Sequence, residues 1–164
     1  MKKITIILSV IFASSIISSC VKPFEYTEPL GLTNIEVTLP GAGDGSSDVS
    51  SYIHHSQVLS TGRWEATLEL ANKDLTWCWL SDSDRRAVGY DEELGETIYE
   101  MVKIPNVTVL EYFDGTDKAI KVVGKGTLHL PLYYTSTAST RYALLTVRNL
   151  DTGDVRYTRI TQKP

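Results

Sequence analysis

Residues 63–70 read Arg-Trp-Glu-Ala-Thr-Leu-Glu-Leu. Trp64, Ala66, Leu68 and Leu70 alternate without a fault with Arg63, Glu65, Thr67 and Glu69. Successive side chains of an extended chain point to opposite faces, so this segment gathers its apolar groups on one side and its polar groups on the other. A helix would scatter the same residues around its girth. The segment therefore reads as a strand with one buried and one solvated face.

The same period recurs along the chain. Ile35, Val37 and Leu39 alternate with Asn34, Glu36 and Thr38, and Pro40 ends that run. Further strands are expected over 52–59, 75–80, 107–113, 118–123, 127–134, 142–148 and 155–162. Turn signals separate them: Asn72-Lys73-Asp74, the hairpin pair Asp114-Gly115, Gly124-Lys125-Gly126 and Asp151-Thr152-Gly153. About nine or ten short strands with such regular punctuation predict an all-β sandwich. Residues 81–97 break the pattern, being rich in Asp, Glu and Arg, with Gly89 and Gly95. Tyr90, Leu94, Ile98 and Met101 fall at helical spacing, so a loop with one or two helical turns is expected, running into a strand over 98–104. Gly95 within that pattern weighs against a longer helix, at about 1 kcal/mol relative to Ala.

The N-terminus carries an address. Met1, Lys2 and Lys3 precede a mostly apolar stretch over 4–17, and Ile17-Ser18-Ser19-Cys20 follows. This is the architecture of a secretory signal peptide over 1–19. Its end resembles a bacterial lipobox, in which the cysteine is acylated and becomes the first mature residue. The apolar run is too short for a membrane span, which needs about 20 residues. Two acyl chains on Cys20 suffice for stable anchoring, at about 0.8 kcal/mol per buried methylene. The expected address is the outer membrane or another part of the cell envelope, with the membrane as a partner through the Cys20 lipid. Residues 20–33, with Pro23, Pro29 and Gly31, read as a lipidated tether, and a single domain is expected over 34–164. Loss of Lys2 and Lys3 would move the formal charge from -4 to -6. That acidity excludes a nucleic-acid binder of the usual basic kind.

Gly62-Arg63-Trp64-Glu65-Ala66 with Thr76-Trp77-Cys78-Trp79-Leu80-Ser81 resembles the front half of a BACON domain (Bacteroidetes-associated carbohydrate-binding often N-terminal). Residues 141–147 and 157–162, ending in Gln162, resemble that family's last hairpin. The likeness covers 34–80 and 127–164, and residues 81–126 stand as an inserted loop or hairpin region. It implies an immunoglobulin-like antiparallel β-sandwich in an exported protein associated with glycans. Such modules also serve as spacers or docking modules, which leaves a membrane or cell-surface protein as the alternative partner to a polysaccharide.

No catalytic constellation is visible. There is no Gly-x-Ser-x-Gly elbow, and the acidic residues concentrate in 82–96 as a solvated face. His54 and His55 are neighbours on an expected strand and so point to opposite faces, while His129 lies far along the chain. No metal-ligand spacing is present, and no cofactor is expected. Asp82-Ser83-Asp84 and Asp91-Glu92-Glu93 supply hard oxygen donors but not the EF-hand pattern. Cys78 has no local partner to activate it and reads as a small hydrophobe.

Aromatic side chains are the remaining lead: nine Tyr and three Trp. Sugar rings pack their C–H faces on flat aromatic surfaces, and Tyr and Trp add a polar handle. Trp77 and Trp79 share an expected face, and one of the adjacent pair Tyr133 and Tyr134 must point outward. Trp77, Trp79, Tyr133 and Tyr134 are accordingly the candidate glycan-binding residues.

Overall fold

The structure is a computed structural model and describes residues 30–32, 36–39, 52–71 and 77–164. The expected leader, the expected lipidation at Cys20 and most of the expected tether lie outside the described residues. Twelve strands occur among the described residues, with no helix: β1 (Gly31–Leu32), β2 (Glu36–Leu39), β3 (Tyr52–Leu59), β4 (Arg63–Leu70), β5 (Cys78–Leu80), β6 (Ser83–Asp91), β7 (Glu96–Lys103), β8 (Val107–Tyr112), β9 (Ala119–Lys125), β10 (Leu128–Tyr134), β11 (Arg141–Asn149) and β12 (Val155–Gln162).

The protein is an all-β, immunoglobulin-like sandwich. One hydrogen-bonded path runs β1-β3-β10-β5-β9-β4-β11-β12-β2, with β8 also paired to β9. The path folds over between β5 and β9, where the single pair Leu80↔Ala119 joins them. β9 begins beside β5 and continues beside β4, from Lys121↔Thr67 to Lys125↔Arg63. One layer is thus β1-β3-β10-β5, and the other is β8-β9-β4-β11-β12-β2. Every pairing is antiparallel except β12 with β2, which is parallel.

Each strand buries the phase that its alternation selects. Trp64, Ala66 and Leu68 of β4 meet Leu145 and Val147 of β11 and Ile160 of β12 in one core with Val58, Leu130, Leu132, Cys78 and Leu80 of the opposite layer. Trp64 is wholly buried, and its Nε1 donates to the Gly126 carbonyl at 2.9 Å. The ring packs against Gly124, where an added Cβ would run into it. Polar side chains support the frame, between the layers and within one. Gln162 Nε2 donates to Thr135 O at 2.7 Å, and the Ser60 amide donates to Thr127 Oγ1 at 3.2 Å. Ser60 and Gln162 are thereby buried with a partner.

Residues 81–97 correct the expectation of a loop with helical turns. β6 and β7 form a separate two-stranded ribbon, closed by a turn over 92–95. Asp91 Oδ1 accepts from the Glu93 and Leu94 amides at 2.9 and 3.0 Å, and Gly95 takes φ +68°. The helical spacing of Tyr90 and Ile98 is the two sides of a hairpin, with Gly89 opposite Ile98 and a bulge between Ala87 and Gly89. The segment 81–126 is therefore divided. Only the ribbon stands outside the sandwich, whereas β8 and β9 run within a layer. The ribbon is fixed at its base. His55 Nε2 lies 2.8 Å from Asp84 Oδ2, and the Tyr133 hydroxyl donates to Ser83 O at 3.3 Å.

Candidate functional site

The four aromatic residues singled out from sequence do not form an open row. Trp77 and Tyr134 are buried in the core, at 2% and 4% exposure. Tyr134 stacks on Tyr52 with ring centroids 5.5 Å apart, and burial pushes its hydroxyl pKa up. Trp79 and Tyr133 do take the outward phase of β5 and β10, as register partners. They are nevertheless occupied by each other, stacked at 5.8 Å. Lys118 Nζ sits 4.3 Å above the Trp79 ring, and Tyr133 is 7% exposed beneath the ribbon base. Burial, then the Asp84 charge, raises the Tyr133 pKa, so the hydroxyl holds its proton for Ser83 O. Adjacent side chains do part to opposite faces here; the ribbon, which the strand pattern does not show, covers the outward one.

The remaining marked residues are also placed. His54 lies on the inward phase of β3, with Nε2 buried and without an acceptor or donor among the described residues. Burial, then the neighbouring His55, lowers its pKa, which keeps the ring neutral near pH 7. His55 points outward to Asp84, and His129 is exposed on β10. Cys78 is wholly buried, and burial alone pushes its thiol far above the range in which thiolate forms. Of the oxygen donors in the acidic segment, Asp82 pairs with Lys103 at 3.5 Å and Asp84 meets His55. Asp91 is spent on the turn.

The open aromatic surface lies elsewhere, on the outer face of β4, β11 and β12. β11 buries Ala143, Leu145 and Val147, so Tyr142, Leu144, Thr146 and Arg148 take the outer phase. β12 buries Thr158, Ile160 and Gln162, so Tyr157, Arg159 and Thr161 do the same. Register sets Tyr142 opposite Thr161, Leu144 opposite Arg159 and Thr146 opposite Tyr157. On the other flank Leu144 lies opposite Glu69. Tyr142 and Tyr157 are 53% and 55% exposed. Four residue steps separate their levels, about 13 Å along the strands.

Between the two rings the face is indented. An open depression of about 420 Å³ is lined by Glu69, Tyr142, Leu144, Arg159 and Thr161, among others. A second, of about 580 Å³, is lined by Leu144, Val155, Arg156, Tyr157 and Arg159. Leu144 and Arg159 belong to both, so the depressions meet between the tyrosines. Arg159 Nη1 is 3.6 Å from Glu36 Oε1, and both side chains are largely exposed. The surface thus combines two flat rings, an apolar floor, guanidinium donors and a carboxylate acceptor. That set packs on C–H faces and hydrogen-bonds hydroxyls. The signal for it was present in the alternation of 142–148: once Ala143, Leu145 and Val147 are core, Tyr142 must face out.

No family model matches the chain, and no curated protein matches it. Among solved structures it is similar to the ASH / PapD-like domain of human CEP192 (PapD-like domain 7), at 9% identity and a TM-score of 0.37, over 82% of this chain and 83% of that one. It is also similar to WR4, a C. elegans MSP family member, at 7% identity and a TM-score of 0.33, over 81% of this chain and 96% of that one. These likenesses are too distant to carry an argument, and the fold described here rests on the strand pairing above.

Proposed function

We propose that the protein is a non-catalytic, lipid-anchored module of the bacterial cell envelope that binds glycan chains on the outer face of β4, β11 and β12. One observation carries this reading. Tyr142 and Tyr157 present half-exposed rings on the outward phase of paired strands, on either side of the shared Leu144–Arg159 floor. A sugar chain would lie across the two rings, with Arg159, Arg156 and Glu69 positioned for its hydroxyls. The lipobox-like Ile17-Ser18-Ser19-Cys20 supports the anchor, and the BACON-like stretches around Trp64, Trp77 and the last hairpin support the glycan association. Trp79 and Tyr133 act in this reading as a closed stack beneath the ribbon rather than as the platform.

The test is a glycan array with polysaccharide pull-down, using the chain from Phe24 onward. Binding is expected to fall at least tenfold with Tyr157→Ala and with Tyr142→Ala, with unchanged circular dichroism, and to survive Trp79→Ala. Silence across host and plant polysaccharides would overturn the glycan reading. Loss on Trp79→Ala alone would move the platform back to the β5–β10 face.

A further inference from the structure

Tyr142 and Tyr157 stand about 13 Å apart along the strands and one strand apart across them. Linked sugar rings follow one another at roughly the spacing of neighbouring strands, about 5 Å. One sugar ring therefore covers one tyrosine, and a disaccharide does not reach the second. A chain of roughly four units reaches both and passes over Leu144 between them. The two depressions are open and meet at Leu144 and Arg159, so a longer chain can continue past either ring. Two rings engaged by one chain act as two linked sites, and their joint hold exceeds that of either alone.

The row between the two rings bears on the charge of that chain. Register sets it as Glu69, Leu144, Arg159 and Glu36, running from β4 across β11 and β12 to β2. Arg159 is the one cation of this row, and it stands between two exposed carboxylates, with Glu36 Oε1 3.6 Å from its Nη1. The cations around the row are matched or lie at its ends. Beyond the Tyr157 level Arg148 is opposite Glu65, and on β9 Lys121 is tied to Glu111 at 3.7 Å. Arg156 donates from Nη1 to Val155 O at 2.9 Å, and Lys163 follows β12 past the Tyr142 level. A carboxylate or sulfate on the middle of the chain would meet Glu69 and Glu36 before any cation free of them. Hydroxyls find guanidinium donors beside carboxylate acceptors in the same row.

We infer that this face takes the interior of an uncharged polysaccharide chain, held by Tyr142 and Tyr157 together, and that Glu36 and Glu69 turn acidic sugars away. Specificity of this kind comes from a repulsive element as much as from an attractive one. The two rings supply a grip that any sugar with a C–H face can share. The Glu69–Leu144–Arg159–Glu36 row supplies the discrimination. The inference rests on the glycan-binding role proposed above and adds to it the length and charge of the ligand.

The test titrates the full chain by calorimetry, in a detergent without a sugar headgroup. The probes are neutral β-glucan, mannan, galactan and starch, with polygalacturonate and alginate as acidic chains, and the oligosaccharides of two to six units cut from each. In at least one neutral series, affinity is expected to rise at least tenfold from the disaccharide to the tetrasaccharide. Tyr142→Ala and Tyr157→Ala, with unchanged circular dichroism, are each expected to remove that rise and leave long and short chains alike. Acidic chains are expected to bind at least tenfold more weakly than the neutral chain of equal length. Glu36→Gln with Glu69→Gln is expected to close most of that gap while the neutral affinity holds. Neutral binding that does not depend on length, yet is lost with Tyr157→Ala, overturns the inference and leaves the glycan-binding role standing. So does a preference for the acidic chains, or a discrimination against them that survives the two glutamine substitutions. Silence with every probe overturns the glycan-binding role and the inference together.

Discussion

The sandwich and its ribbon are built from the same element under opposite rules. In β4 every second side chain enters the core, and Trp64, Ala66 and Leu68 leave almost nothing to solvent. In β6 and β7 the strands are as long, yet almost every side chain is exposed. β4 is held by neighbours on both edges, β9 and β11, and by an opposite layer. The ribbon is held by its own ladder and by a base clamp of His55–Asp84 and Tyr133–Ser83. Strand formation thus does not require a core. Backbone pairing, a bulge and an Asp-capped turn suffice when the base is anchored. The exposed side chains are then free for contacts outside the domain.

This contrast is open to measurement, and the largest effect belongs to Trp64. Trp64→Ala removes the largest fully buried side chain and its bond to Gly126 O. A loss of about 3–5 kcal/mol is expected in urea unfolding, enough to unfold much of a marginal domain. A loss under about 1 kcal/mol would mean the sandwich is no better packed than the ribbon. Gly124→Ala comes next. The new methyl would strike the Trp64 ring, so an overpacking cost of about 1–3 kcal/mol is expected, again by urea titration.

Asn149 tests a polar hinge of the sandwich. Its Oδ1 accepts from the Asp151 and Thr152 amides at 2.8 and 3.0 Å, and its Nδ2 donates to Ser60 Oγ at 3.4 Å. Asn149→Ala leaves those groups unmet, and about 1–3 kcal/mol of destabilisation is expected. Thermal unfolding with and without the substitution measures it.

His54 gives the sandwich a pH dependence. Its folded pKa is lowered, first by burial and then by His55. As pH falls below about 6.5, the unfolded chain takes a proton that the folded state resists, so stability declines with falling pH. His54→Gln is expected to flatten that part of the stability profile between pH 7 and 5. An unchanged slope would assign the dependence to other groups. The smallest effect is expected in the ribbon. Leu94→Ala and Tyr99→Ala should each move stability by no more than about 0.5 kcal/mol, as exposed positions do. A core-sized loss at either would erase the distinction between the two regions.

Much of the sandwich was legible because alternation is a local signal with a global meaning. The expected limits 155–162 coincide with β12, and 52–59 coincide with β3. Asp114-Gly115 closes its expected hairpin, with Gly115 at φ +69°. The ribbon was illegible for a physical reason. Neither of its faces is buried, so nothing selects apolar residues at period two, and Tyr90, Leu94 and Ile98 imitate a helix across a turn. The site was legible only in part. Outward direction follows from phase, but accessibility does not. Trp79 and Tyr133 point outward as strand neighbours must, and they lose their openness to each other, to Lys118 and to the ribbon base. Tyr142 and Tyr157 point outward and stay open because no element crosses β11 and β12 there among the described residues.

Local pattern settles which side chains face in and where strands turn, because a side chain's direction depends only on the backbone beside it. The expected address is read on the same local basis, from one contiguous run ending at Cys20. The pairing of β9 with both β5 and β4, the parallel seat of β2 on β12, and the choice of which outward aromatics remain open depend on contacts between residues far apart in the chain. Those contacts are set by how two twisted layers close over a common core, and only the folded molecule contains them.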